Sequence, residues 1–87
     1  MQIDRVTFTF TGQIPRESFA EFAQHRASRL SITLTTVMQN DAVAKLQVIG
    51  QRDLVDAFEM ALSLGPQDCI VHKVTRQADN PAKGEET

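Results

Sequence analysis

Val6, Phe8 and Phe10 alternate with Thr7, Thr9 and Thr11, and Gly12 closes the run. A period of two in β-branched and aromatic residues predicts a strand with one buried face. Phe19, Phe22, Ala23, Ala27 and Leu30 follow at three- and four-residue spacing, the apolar stripe of an amphipathic helix. Two starts are open to it. Ser18-Phe19-Ala20-Glu21 matches a capping box, whereas Pro15 at the first helical position would move the start a turn earlier. Threonine and aliphatic residues from Ile32 to Gln39 predict a second strand. Asn40-Asp41 predicts a turn and Val43 to Ile49 a third strand, so 32–49 reads as a hairpin. Leu54, Val55, Phe58, Ala61 and Leu62 form a second helical stripe. Gly65 is placed to end that helix in a left-handed conformation, and Pro66 bars its continuation. Cys69 to Val74 reads as a last short strand.

The order β-α-β-β-α-β predicts an α+β, ferredoxin-like βαββαβ plait. Right-handed crossovers put two helices on one face of a four-stranded antiparallel sheet, with the first and third strands central. Strand alternation and helix stripes agree on a core of Val6, Phe8, Phe10, Phe22, Leu30, Leu46, Val48, Phe58 and Leu62. One domain is expected over residues 1–78. Asp79 to Thr87 holds one apolar side chain and reads as a disordered tail.

Composition narrows the function classes. With 87 residues, 41% hydrophobic and 23% charged, the chain resembles an ordinary soluble domain with one modest core. Its formal net charge is -2 and it has no basic run, so no footprint for nucleic acid or an acidic membrane surface is visible. An RNA-binding plait needs stacking aromatics on its open sheet face. That face is expected to carry Thr7, Thr9, Thr33, Thr35, Lys45 and Gln47, and the chain has no Trp or Tyr. The single cysteine, Cys69, excludes an internal disulfide and paired-thiolate metal sites. No apolar leader and no membrane-length run stand out, so a cytoplasmic protein is expected.

The frame of Gly12, Leu30, Gly50 and Leu64-Gly65-Pro66 resembles the acylphosphatase family over about residues 5 to 76. The resemblance is strongest in the run of Gly50, Phe58, Leu62, Gly65, Pro66, Cys69, Val71 and Val74. It implies that the loop Gly12-Gln13-Ile14-Pro15-Arg16-Glu17-Ser18 corresponds to the family's phosphate cradle. There successive backbone N–H groups and an arginine converge on an oxyanion. Counted without gaps, the family's second loop glycine becomes Arg16, its successor Glu17, and the loop gains Pro15, which has no N–H. The family's arginine slot falls on Ala20, and the slot of its water-orienting asparagine falls on Met38. Arg16 and Asn40 are the nearest substitutes, and a two-residue slip in the hairpin would bring Asn40 into place. Gln13, Ile14, Pro15, Arg16, Glu17 and Ser18 are thus a degenerate ligand loop. Losing one preorganised donor alone costs about 10²–10³ in rate, so acylphosphatase activity is not expected.

Other side chains add no chemistry. His25 and His72 lack metal-ligand spacing, Cys69 stands at a core position, and Ser18 has no base nearby in sequence. No cofactor and no metal are expected. What remains is a binding or interaction module whose partner is a second copy or another protein, with no role for nucleic acid or membrane. The contact surface would be the uncharged edge strand from Ile32 to Val37 or the open sheet face. A divergent acylphosphatase using Arg16 and Asn40, and a small-ligand-sensing plait, are the alternatives.

Overall fold

The computed structural model describes residues 2–78; Met1 and the tail expected over 79–87 lie outside the described residues. The chain runs β1 (Ile3–Gln13), α1 (Arg16–Arg29), β2 (Thr33–Gln39), β3 (Val43–Gln51), α2 (Arg52–Leu64) and β4 (Ile70–Ala78). The strands form one antiparallel sheet in the order β2-β3-β1-β4. This is the plait that the alternation and stripes predict, with β1 and β3 central.

One face of β1 is buried by side chain after side chain: Val6, Phe8 and Phe10 are at most 2% exposed. Their partners across the ladder are Val48, Leu46 and Ala44 of β3, equally buried. Phe19, Ala23 and Ala27 of α1 and Val55, Phe58 and Leu62 of α2 close over this surface. Four phenylalanine rings join the layers. Phe8 lies 5.7 Å from Phe10 and 6.2 Å from Phe58, and Phe10 meets Phe19 edge-on at 5.5 Å. Tilted and edge-on pairs at such separations add about 0.5–1.5 kcal/mol each beyond burial.

Several expectations need correction. Helix α1 begins at Arg16 with Pro15 as its cap and makes no side-chain cap hydrogen bond, so the capping box does not form. The start lies close to the earlier of the two, but Pro15 stands one position before the first helical residue rather than at it. Phe22 and Leu30, expected in the core, are half-buried at its margin. Gly65 ends α2 with φ 67° but ψ 171°, so the chain leaves in an extended rather than a left-handed helical turn. Strand β4 continues past Val74 to Ala78, held by pairing with β1 although its outer residues are polar.

Two irregularities shape the end of the sheet that carries the loop. Gly12 has φ +155°, and a Cβ there would run into the Ile70 carbonyl oxygen. The β1–β4 register shifts beside it, between Thr11 and Gly12. On β2 the register shifts between Thr36 and Met38, leaving Val37 as a bulge. A one-residue bulge exchanges the faces of everything beyond it. Leu34 and Thr36 pair with Val48 and Leu46 on the helix-covered face, whereas Met38 pairs with Lys45 on the open face.

Candidate functional site

The β1–α1 loop and the β2–β3 turn come together at one end of the sheet. Between them lies an open cleft of about 770 Å³ lined by Pro15, Arg16, Glu17, Ser18, Glu21, Asn40 and Asp41. Gln13 and Ile14 are not part of it. They line a neighbouring depression with Gly12, Pro15, Asp41 and Ala42, and the Ile14 side chain is fully buried in the core.

Three amides of this loop, those of Gly12, Ile14 and Arg16, are engaged by the turn opposite. Gly12 donates to the Ala42 carbonyl at 3.0 Å, and Ile14 to the Asp41 carbonyl at 2.9 Å. Pro15 has no N–H to offer. The Arg16 amide, first in the helix, donates to the Asp41 carboxylate Oδ1 at 2.9 Å. A carboxylate is stabilised at a helix N-terminus by the orphan amides and the positive end of the helix dipole. Asp41 therefore stands where an external oxyanion would otherwise be drawn. Ser18, two residues on, donates its hydroxyl to the Asp68 carboxylate at 2.9 Å and ties the helix start to the loop before β4.

Asn40 is held by its own turn. Its side-chain Oδ1 accepts from the amides of Ala42 at 2.7 Å and Val43 at 2.8 Å, and its own N–H donates to the Val43 carbonyl. The asparagine thus builds the hairpin corner, and strand alternation no longer relates it to Met38. Met38 is 46% exposed on the open face. Ala20 sits half-buried in the second turn of α1. The side chain that reaches the loop from β2 is Gln39, whose Nε2 donates to the Arg16 carbonyl at 3.1 Å.

Electrostatically, the cleft is unsuited to a dianion. Glu17, Glu21 and Asp41 bring three carboxylates against the single guanidinium of Arg16. Glu21, Asp41 and Gln39 escape a reading based on loop spacing alone. The signal for Asp41 is its place beside Asn40 in a turn that the plait brings to the same end as the first loop. Nucleophilic chemistry has no foothold at Cys69, which is buried. Burial, with the Asp68 carboxylate close by and bonded to it, pushes the Cys69 thiol above its ordinary value and keeps it protonated. Among the described residues no group of three His, Cys, Asp or Glu could hold a metal ion. No helix among them is long and apolar enough to cross a membrane.

No family model and no curated protein sequence matches this chain. Solved structures do match. An acylphosphatase from Coxiella burnetii superposes with a TM-score of 0.81 at 20% identity, covering 90% of this chain and 82% of its own. An acylphosphatase from Bacillus subtilis gives 0.81 at 14% identity, covering 95% and 91%. The fold is acylphosphatase-like. Full-length HypF, in its phosphate- and nucleotide-bound form, contains a similar part: TM-score 0.77 at 14% identity, over 88% of this chain and 10% of that one. At these identities the likeness concerns architecture, and function must be argued from the site.

Proposed function

We propose that this acylphosphatase-like domain does not hydrolyse acyl phosphates and works by contact with another polypeptide. The observation that carries the reading is the Asp41 carboxylate on the Arg16 amide, an internal anion in the position that phosphate chemistry would need vacant. Three further features support it: the missing N–H of Pro15, the excess of carboxylates in the cleft, and the engagement of Asn40 in its own turn. On this reading Ala20 and Met38 occupy the arginine and asparagine slots, and Arg16 and Asn40 do not replace them. The contact surfaces are the edge of β2, where Val37 and Met38 are 54% and 46% exposed, and the open face of the sheet. A cytoplasmic location goes with this role, and the single buried cysteine fits it.

The experiment is hydrolysis of benzoyl phosphate by the full chain, with inorganic phosphate titrated in parallel by amide chemical shifts. The expected rate equals that of the buffer blank, and millimolar phosphate leaves the amides of residues 13–19 unmoved. Turnover above the blank that disappears in Arg16→Ala would return the domain to the enzymes.

A further inference from the structure

The charges of this protein are sorted by face. Pairing across the ladders places Arg5, Thr7, Thr9 and Thr11 of β1 on the open side of the sheet. With them stand Lys45, Gln47 and Ile49 of β3, Thr33, Thr35 and Met38 of β2, and Lys73, Thr75 and Gln77 of β4. Every described carboxylate lies elsewhere. Asp4 alternates to the helix side and pairs with Arg52; Glu17 and Glu21 are on α1, and Asp53, Asp56 and Glu59 on α2; Asp41 and Asp68 are in loops. Among the described residues the open face thus carries three cations and no anion, although the whole chain has a formal charge of -2. Arg5, Lys45 and Lys73 are exposed, and none meets a carboxylate among the described residues. Arg76, by contrast, reaches the helix side, where Asp56 and Glu59 bind it at 2.7 and 2.8 Å.

Resting on the reading of this domain as an interaction module, we propose that the open sheet face binds an extended acidic segment of a partner protein. Strand spacing and rise put the backbones of Lys45 and Lys73 about 12 Å apart and those of Arg5 and Lys45 about 14 Å apart. In an extended chain, residues i and i+4 share a face and lie about 13 Å apart. An acidic strand therefore presents carboxylates at the interval of these cations. The hydroxyls of Thr9, Thr11 and Thr75 and the Gln77 amide on the same face are groups of the type that donate to carboxylate oxygens. A single-stranded nucleic acid fits less well, because it needs aromatic platforms and this face has none. Charge of one sign on a flat face also steers encounter with an oppositely charged partner and weakens with salt.

The test uses the full chain and a fluorescein-labelled peptide of six Glu-Thr repeats, read by anisotropy and by amide shifts at low salt. The expected shifts fall on β1, β3 and β4 residues of the open face, with affinity falling as salt rises. Lys45→Glu with Lys73→Glu is expected to weaken binding roughly tenfold, since each exposed pair contributes little alone. Arg26→Glu with Arg29→Glu on α1 changes the net charge equally and should change affinity less than about threefold. Lys45→Gln with Lys73→Gln gives the same direction without introducing repulsion, and thermal melts check that each variant folds. Shifts centred on the helices, equal losses in both charge-reversal pairs, or tighter binding of a twelve-nucleotide oligothymidylate would overturn the proposal. Hydrolysis assayed on the same preparation separates the two ideas. Absence of both hydrolysis and peptide binding sinks this inference alone, whereas turnover sinks the interaction-module reading.

Discussion

At the scale of single residues, two backbone positions make opposite demands on glycine. Ser31, just past α1, has φ 57°, a left-handed conformation in a residue with a Cβ. It is kept there by the helix end: its amide donates to the Ser28 carbonyl, and that of Ile32 to Ala27 at 2.8 Å. The left-handed region costs a non-glycine residue about 1–2 kcal/mol, part of which glycine returns through its freer unfolded state. Ser31→Gly is therefore expected to stabilise the domain by about 0.5–1 kcal/mol, a Tm rise of several degrees in so small a protein. Gly12→Ala should do the reverse. Its Cβ would strike the Ile70 carbonyl oxygen and lie 2.9 Å from the His72 amide nitrogen, both of them backbone. A loss of about 3 kcal/mol or more is expected, from strain and broken β1–β4 pairing together. Thermal and urea unfolding of the two variants checks both signs. Equal or inverted effects would mean that these φ angles are not the ones the protein adopts.

At the scale of elements, the strands were legible wherever alternation was clean. Val6, Phe8 and Phe10, with threonines between, fixed both the strand and its buried face, because a pleat offers no other arrangement. The stripe of α2 was equally clear. Helix α1 was harder, since proline and capping signals competed within one turn. The bulge at Val37 left no mark in the sequence. Thr35-Thr36-Val37 is β-branched throughout and fits either face. That one residue turns Met38 to the open face and Gln39 toward the loop, a consequence that spacing alone does not carry. The same bulge bears on association. Strand β2 has no charged residue, but a twisted edge resists pairing with another. The exposed run of Thr33, Thr35, Val37 and Met38 is expected to favour a weak homodimer at high concentration. Val37→Lys should abolish it with little change in stability. Sedimentation profiles that are monomeric at the highest attainable concentration, or dimeric and indifferent to Val37→Lys, would remove β2 from the contact surfaces.

At the scale of the whole molecule, the buried core that holds the helices on the sheet contains none of the residues lining the cleft. The phenylalanine cluster, the β1–β3 ladder and α2 form the scaffold, and the cleft lies at its rim. Such an architecture can keep its fold while its loop chemistry changes, as other grafted sites do. Restoring that chemistry should then need more than two side chains. In Ala20→Arg with Met38→Asn, the new asparagine would stand beside Lys45 on the open face, outside the residues that line the cleft. The new arginine would start from a position that does not line the cleft, whose helix terminus Asp41 already occupies. The double variant is therefore expected to hydrolyse benzoyl phosphate no faster than the blank. Adding Asp41→Asn removes the internal anion, which should let phosphate shift the amides of residues 16–18 weakly, still without turnover. Misplacing even one preorganised group costs about 10²-fold or more, and Pro15 and the outward asparagine both remain. If the double variant alone gained hydrolysis well above the blank, the loop would have to rearrange readily away from Asp41. The carboxylate would then be a movable cap, and the non-hydrolysing assignment would fall with it.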